Sequence, residues 1–371
     1  MSRMDAAVRA PGDPLPWLIV QAAGGQPFAL SGAAGRPVAF SCPGSVGHPA
    51  VGALLRGFEA EAELFDGQAA RLFLVSQDPA DAAPGRAPPD RPGRQLILDL
   101  DRRLGEALGL FVAVAGAPTR LVAVTWVFDA ALRAVARLPI THPATHAAEV
   151  AAVLRRLAAP PAFCAPVGLA PVLLLPRVLE PALCADLIRY WEAGRPEPTG
   201  VMENLADGGA RMVVDGARKR RRDLLITEPL LRAAVHAAVV QRVIPAVALA
   251  FQFEATEVER YLLAAYEAED QGWFGAHRDN QSQRTAHRRF ACSISVGPDD
   301  YDGGDVSFPE HGPARYRAPQ GAALVFSCAL LHAVDPVTRG RRLCSLPFLY
   351  DEAGERLRRS MNGLGAAPAA G

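Results

Sequence analysis

The chain has 371 residues, half of them hydrophobic, with 39 basic and 39 acidic side chains and a formal net charge of zero. A length of this order suits two domains with sizeable cores. Zero net charge provides no field toward nucleic acid or an anionic membrane surface, so neither is expected as a partner.

Residues 1–11 read as a flexible N-terminus without the apolar core of a signal peptide. From residue 12 to 158, short strands alternate with helices. Strands are expected at 37–42, 71–76, 95–100 and 120–128, and helices at 50–65 and 144–157. This alternation implies an α/β domain. The proline-rich stretch 78–94 is expected to be a surface loop, and 159–172, poor in charge and rich in Pro and Ala, a linker.

A second domain is expected over 173–355, with a flexible tail at 356–371. Pro181 and Gly194 bracket a short helix, and 229–251 reads as a longer apolar helix capped by Thr227. Arg242 and Pro245 interrupt that apolar stretch, so no run of about 18 uncharged apolar residues is expected to cross a membrane. Strands then follow at 256–268, 289–296, 304–309, 321–332 and 341–350, separated by Gly, Pro and Asp-rich turns, which suggests a jelly roll with the helices packed outside. The six cysteines, Cys42, Cys164, Cys184, Cys292, Cys328 and Cys344, show neither pairing nor zinc-ribbon spacing. A cytoplasmic protein is expected.

His277 and Asp279 stand in 271-QGWFGAHRDNQ-281. With eight histidines, and Asp at roughly 6% of positions, about half an HxD is expected by accident. Its weight comes from later residues. His332 ends the apolar run 323-ALVFSCALLH-332, and Arg342 opens the final strand. On a strand of period two, His277 and Asp279 project to one face. A histidine from a neighbouring strand would complete two His and one carboxylate, the facial set of non-haem Fe(II) oxygenases. The same set serves zinc hydrolases, but these have no use for an arginine that can grip a carboxylate with two parallel hydrogen bonds. Arg341 must point to the opposite strand face. His287 is expected on the polar surface, and 218-RKRRR-222 as a solvated face or a set of local ion pairs.

The stretches 261-YLLAAYEAEDQGWFGAHRDN-280, 289-RFACSISVGPDDYDGGDVSFPEHG-312, 319-PQGAALVFSCALLHAVDPVTRGRR-342 and 345-SLPFLYD-351 resemble, in order, the prolyl 4-hydroxylase-like branch of the Fe(II)/2-oxoglutarate dioxygenases. The resemblance implies a double-stranded β-helix in which His277, Asp279 and His332 bind iron. It implies that Arg342 holds the distal carboxylate of 2-oxoglutarate and that Tyr266, with Tyr261 as the alternative, hydrogen-bonds that cosubstrate. Dioxygen is then the oxidant, succinate and CO2 are released, and ascorbate serves as reductant. Hydroxylation is the default outcome, on a peptide residue, an amino acid or a natural product. Asn280 and Arg289 are expected to face the substrate.

Residues 12-GDPLPWL-18, 24-GGQPFALSGAAGRPVAFSCPG-44, 71-RLFLVSQDP-79 and 98-LDLDRRLGEALGL-110 resemble a peroxiredoxin-type, thioredoxin-like domain. Such a domain needs a thiolate at the start of the helix after strand 37–42, and 43-PGSVGHPAVGALL-55 has no cysteine. Its expected role is therefore docking of a partner or homodimerisation. The rival reading is a thiol redox or stress protein in which Cys42 is the active group and the C-terminal domain is a binding module.

Overall fold

The computed structural model describes residues 8, 10–16, 18–22, 25, 27–67, 69–83, 85–114, 117–158, 169–204 and 210–364. It divides the chain into two compact units, Met1–Phe163 and Cys164–Gly371. Most of the N-terminus expected to be flexible and most of the expected linker lie outside the described residues.

In the first unit, β1 (Val38–Gly44), α1 (Gly52–Ala60), β2 (Arg71–Ser76), β3 (Arg94–Leu98), β4 (Val124–Phe128), β5 (Ala134–Pro139) and α2 (Pro143–Ala158) follow in order. The sheet runs β3-β2-β1-β4-β5, its first three strands parallel and β4 and β5 antiparallel. This is the thioredoxin-like arrangement. Both faces of β1 and β2 are buried, which is why these strands read as continuous apolar runs instead of alternating ones. The expected helix 50–65 is broken into a 3-10 turn at Pro49–Val51, α1 and a short helix at Ala62–Asp66. The expected strand 120–128 splits at residues 122–123 into two strands that belong to different sheets.

The second unit contains β6 (Leu173–Leu175), α3 (Pro181–Ala193), β7 (Glu197–Pro198), β8 (Lys219–Arg220), β9 (Arg222–Leu225), α4 (Pro229–Ala238), α5 (Ile244–Phe251), β10 (Glu257–Glu259) and β11 (Leu262–Glu267). Then come β12 (Trp273–His277), β13 (Phe290–Ser295), β14 (Val306–Ser307), β15 (Arg315–Tyr316), β16 (Ala323–Ser327), β17 (His332–Val334), β18 (Arg341–Ser345), β19 (Phe348–Tyr350) and α6 (Glu352–Leu364). One antiparallel sheet runs β6-β16-β13-β18-β11-β9-β7, with β19 bridging β13 and β10. The facing sheet runs β8-β12-β17-β14-β15. Together they make a double-stranded β-helix.

Period two sorts the large sheet. Leu263, Ala265, Cys292, Ile294 and Leu343 join a core with the helices, while Tyr266 and Cys344 enter a cluster with Val334 and Val337 from the opposite side of the sandwich. Glu228, not Thr227, caps α4: its carboxylate accepts from the amides of Leu230 (3.0 Å) and Leu231 (2.6 Å). Thr227 instead bonds the Tyr190 hydroxyl. A π-helical turn at Val239–Val243 joins α4 to α5. The resulting 23-residue helical stretch is long and apolar enough to cross a membrane by length and composition, although Arg232 and Arg242 leave it without 18 consecutive uncharged residues. One face, including Val235, Val239, Val243 and Val247, lies in the core. Arg242 is buried and donates to the Val178 carbonyl and the Glu180 carboxylate, both at 2.9 Å. Where a flexible tail is expected, α6 continues the chain to Leu364, anchored by the Gly354 amide on Asp351 (2.8 Å) and by Arg358 on the Tyr350 hydroxyl (3.1 Å).

Candidate metal centre

His277, Asp279 and His332 present ligand atoms that all lie within 4.8 Å of one another. They meet for reasons that differ from strand alternation along 277–279. β12 ends at His277, and Asp279 stands in the turn beyond it, its amide donating to the Cys328 carbonyl at 3.0 Å. His332 does not end the strand expected over 321–332. That strand stops at Ser327, the chain turns, and His332 opens β17 in the other sheet. β17 pairs antiparallel with β12, with a bulge between Phe274 and His277, so that His277 and His332 are cross-strand partners with ring centroids 4.3 Å apart.

The protonation pattern points to a cation. The Nδ1 of His277 lies 2.8 Å from the Gly275 carbonyl, and that of His332 lies 3.1 Å from the Leu330 carbonyl. A carbonyl only accepts, so each Nδ1–H donates, and in the neutral ring each Nε2 is the atom left to ligate. Those Nε2 atoms face the Asp279 carboxylate at 3.5 Å each. Burial pushes His332 down to about 4, so its imidazole is neutral near pH 7. With both rings neutral, two Nε2 lone pairs and the Asp279 carboxylate converge on one point. Donors bonded at ~2.0–2.2 Å to one ion sit roughly 3–3.5 Å apart, so the set fits a metal ion.

The three residues line a cavity of about 190 Å³ that also contains Tyr266 and Arg342. On β18, Arg341 turns outward to pair with Glu192. Arg342 turns inward, 7% exposed, with Nη2 donating to Ser293 Oγ at 2.8 Å and its guanidinium 5.3 Å from the Tyr266 ring. Tyr266 is its cross-strand partner on β11. The second glycine of the DYDGG turn explains itself here. Gly304 has φ of +68°, and a Cβ would come within 2.9 Å of Val337 and 3.2 Å of the Arg342 stem.

Other expected residues fall elsewhere. Tyr261 bonds His236 Nδ1 at 2.6 Å and packs with the helix-side core, away from the cavity. Asn280 is not among the cavity residues, whereas Gln281 and Ser282 are. Arg289 is directed to the Ala286 carbonyl, 2.9 Å away, and Arg288 takes the cavity position expected of it. His287 is buried, bonded to Glu259 at 2.8 Å and edge-on to Tyr350. The basic run is solvated at Arg218 and Arg220, whereas Lys219 and Arg221 are buried at alternate positions, and Arg221 makes a local ion pair with Asp223 and lines the cavity. Period-two alternation through 218–222 is the signal that would have found it. Arg260 and Ser293 carry no comparable signal, because each is brought to the cavity by sheet pairing.

The first unit offers no thiol chemistry of this kind among its described residues. Cys42 lies within β1, fully buried, its thiol 3.7 Å from the Phe40 carbonyl. Burial drives its acidity far in the unreactive direction. At the segment where a reactive thiolate would stand, the Asp81 carboxylate occupies the backbone amides instead. It accepts from Val46 N (2.7 Å), Gly47 N (3.0 Å) and Ser45 Oγ (3.0 Å).

No family model matches the chain. It is 31% identical over 98 residues to a PKHD-type hydroxylase of Synechococcus sp. (strain JA-2-3B'a(2-13)), covering 25% of this chain and 43% of that protein. It is 26% identical over 203 residues to a PKHD-type hydroxylase of Janthinobacterium sp. (strain Marseille), covering 51% and 83%. The chain thus spans less than half the length of the first of these relatives. Among solved structures, a Pseudomonas putida prolyl-4-hydroxylase overlaps 48% of this chain and 92% of its own at 15% identity and a TM-score of 0.37. A Mycobacterium tuberculosis peroxidoxin overlaps 40% and 99% at 20% identity and a TM-score of 0.35. In sequence the chain is similar to PKHD-type hydroxylases over part of its length, and of the residues that carry its resemblance to prolyl 4-hydroxylase-like Fe(II)/2-oxoglutarate dioxygenases, His277, Asp279, His332, Arg342 and Tyr266 line one cavity.

Proposed function

We propose that the second unit is an Fe(II)- and 2-oxoglutarate-dependent dioxygenase that hydroxylates a peptide or small-molecule substrate, releasing succinate and CO2. The observation that carries this reading is the convergence of His277, Asp279 and His332 in one cavity with a buried arginine, Arg342. Iron bound there would supply the redox chemistry that joins dioxygen to the oxidation of 2-oxoglutarate and substrate. The chain's own residues prepare the site. The Gly275 and Leu330 carbonyls hold both imidazoles in the ligating tautomer, and the Cys328 carbonyl fixes the backbone at Asp279. Arg342 is oriented by Ser293 and Tyr266 to receive the distal carboxylate of 2-oxoglutarate. Phe274, Phe326, Val306 and Val334 present an apolar wall that displaces water from the reacting groups. Ascorbate fits as the reductant that maintains Fe(II), and the first unit as a docking or dimerisation module. The five cysteines among the described residues, all free and buried, suit a reducing compartment such as the cytoplasm.

The test is 2-oxoglutarate turnover by the full chain with Fe(II), O2 and ascorbate against fractionated metabolite and peptide pools, read as succinate and as a substrate mass gain of one oxygen. Cys42→Ser should leave succinate formation unchanged. Loss of turnover in that variant, or no succinate with any pool, refutes the reading.

A further inference from the structure

Six arginines line the cavity: Arg218, Arg221, Arg260, Arg278, Arg288 and Arg342. Among the described residues the only carboxylate lining it is Asp279, which belongs to the metal trio. Arg342 is placed for the cosubstrate. Arg278 pairs with Glu310 and Arg288 with Glu259, each at 2.5 Å. Arg221 and Arg260 share one carboxylate, and neither has a second among the described ion pairs, whereas Arg358, which shares Glu259 with Arg288, also pairs with Glu355. Asp223 accepts from Arg221 Nε and Nη2 at 2.7 Å each, and from Arg260 Nη2 at 3.3 Å. Two guanidiniums on one anion leave an excess positive charge in a largely desolvated place, which is costly without a counter-charge.

Two further observations point the same way. Arg260 has φ of +72° in the link between β10 and β11, a left-handed conformation that costs a non-glycine residue energy and that places its side chain on the cavity wall. Lys219, beside this cluster, is pushed down to about 6 by burial and by Arg221, so the neighbourhood already forces one cation toward neutrality. Next to this charge the cavity is apolar. The Arg260 and Arg288 guanidiniums lie 5.5 and 4.0 Å from the centroid of the Phe348 ring, which lines the cavity with Phe274, Phe326 and Leu346.

Resting on the oxygenase reading above, we propose that the substrate is an anion with an apolar body, its carboxylate docking on Arg260 and Arg221 while its apolar part lies along Phe348 toward the metal trio. The carboxylate comes either from a small organic acid or from an acidic residue of a peptide, and the test separates the two.

Full-length protein loaded with Zn(II) and N-oxalylglycine, which fills the cosubstrate end and prevents turnover, is equilibrated with matched pools. One arm compares N-acylated amino acids as free acids with their amides. The other compares capped tripeptides containing Asp or Glu with their Asn or Gln counterparts. Retained members are read by mass spectrometry after rapid gel filtration. The expected result is at least ~10-fold preference for the charged member of matched pairs in one arm, which names the source. Arg260→Gln should abolish that preference and Arg260→Lys should keep part of it. Equal retention of neutral and charged members, no retention in either arm, or a preference that survives Arg260→Gln overturns the proposal. N-oxalylglycine binding, measured separately and dependent on Arg342, reports on the oxygenase reading itself. That reading can therefore stand while the anion site fails.

Discussion

Replacing Arg342 by alanine removes the guanidinium proposed to receive the distal carboxylate of 2-oxoglutarate. The side chain is 7% exposed and oriented by Ser293 Oγ at 2.8 Å, so water is a poor substitute for it. Two charge-assisted hydrogen bonds at ~1.5–3 kcal/mol each sum to about 3–6 kcal/mol. That corresponds to a loss of roughly two to four orders of magnitude in 2-oxoglutarate affinity. Arg342→Lys keeps the charge but loses the fork, and should fall between wild type and alanine. Arg341 is the internal control. It pairs with Glu192 at the surface, where such a pair contributes ~0–1 kcal/mol, so Arg341→Ala should change affinity by less than about threefold. The assay is calorimetric titration of 2-oxoglutarate into Zn(II)-loaded protein, backed by succinate formation against 2-oxoglutarate concentration. Urea midpoints of each variant separate a binding loss from unfolding. Equal losses in the two alanine variants, or none in Arg342→Ala, would mean that the inward face of β18 does not carry the cosubstrate site.

Two more outcomes are expected. His277→Ala and His332→Ala should each abolish stoichiometric Fe(II) binding in anaerobic metal analysis, since each leaves two ligands of three; stoichiometric iron in either variant sinks the metal assignment. Burial raises the Glu259 carboxyl, but His287 and Arg288 outweigh it and lower it to about 2 from 4.5. A carboxyl depressed in the folded state contributes stability above its unfolded value near 4.5, and loses it as pH falls toward 2. A shift of this size corresponds to about 3 kcal/mol, and the side chain is only 13% exposed, so solvent screening is slight. Glu259→Gln should therefore be less stable than wild type by roughly that amount in urea at pH 6–7. Its deficit should shrink as pH drops below 4.5, and a deficit independent of pH contradicts the ion-pair account.

Much of this protein is legible in its sequence because the relevant signals are local. Continuous apolar runs mark the strands, Pro181 and Pro229 open their helices, and the inward–outward alternation of Arg342 and Arg341 follows from period two alone. The HxD, the later histidine and the DYDGG turn, by their resemblance in order to prolyl 4-hydroxylase-like dioxygenases, mark the candidate metal centre. Helix caps and breaks are less legible. Glu228 and Thr227 are both able to cap α4, and the choice falls to Glu228 because Tyr190, from a different helix, engages Thr227.

What only the tertiary structure decided is which residues share the cavity. His277 and His332 become neighbours through the antiparallel register of β12 and β17, not through a common strand, and the bulge beside His277 sets their approach. Asp279 joins them from a turn held by a carbonyl at residue 328. One-residue steps then separate Arg288 from Arg289 and Gln281 from Asn280, because facing in these turns depends on irregular backbone and not on a period. Arg221 and Arg260 meet on Asp223 because β9 pairs with β11. Chain patterning specifies elements and their faces, whereas the charge balance of the cavity is a sum over strands distant in sequence, and that sum exists only once they pair.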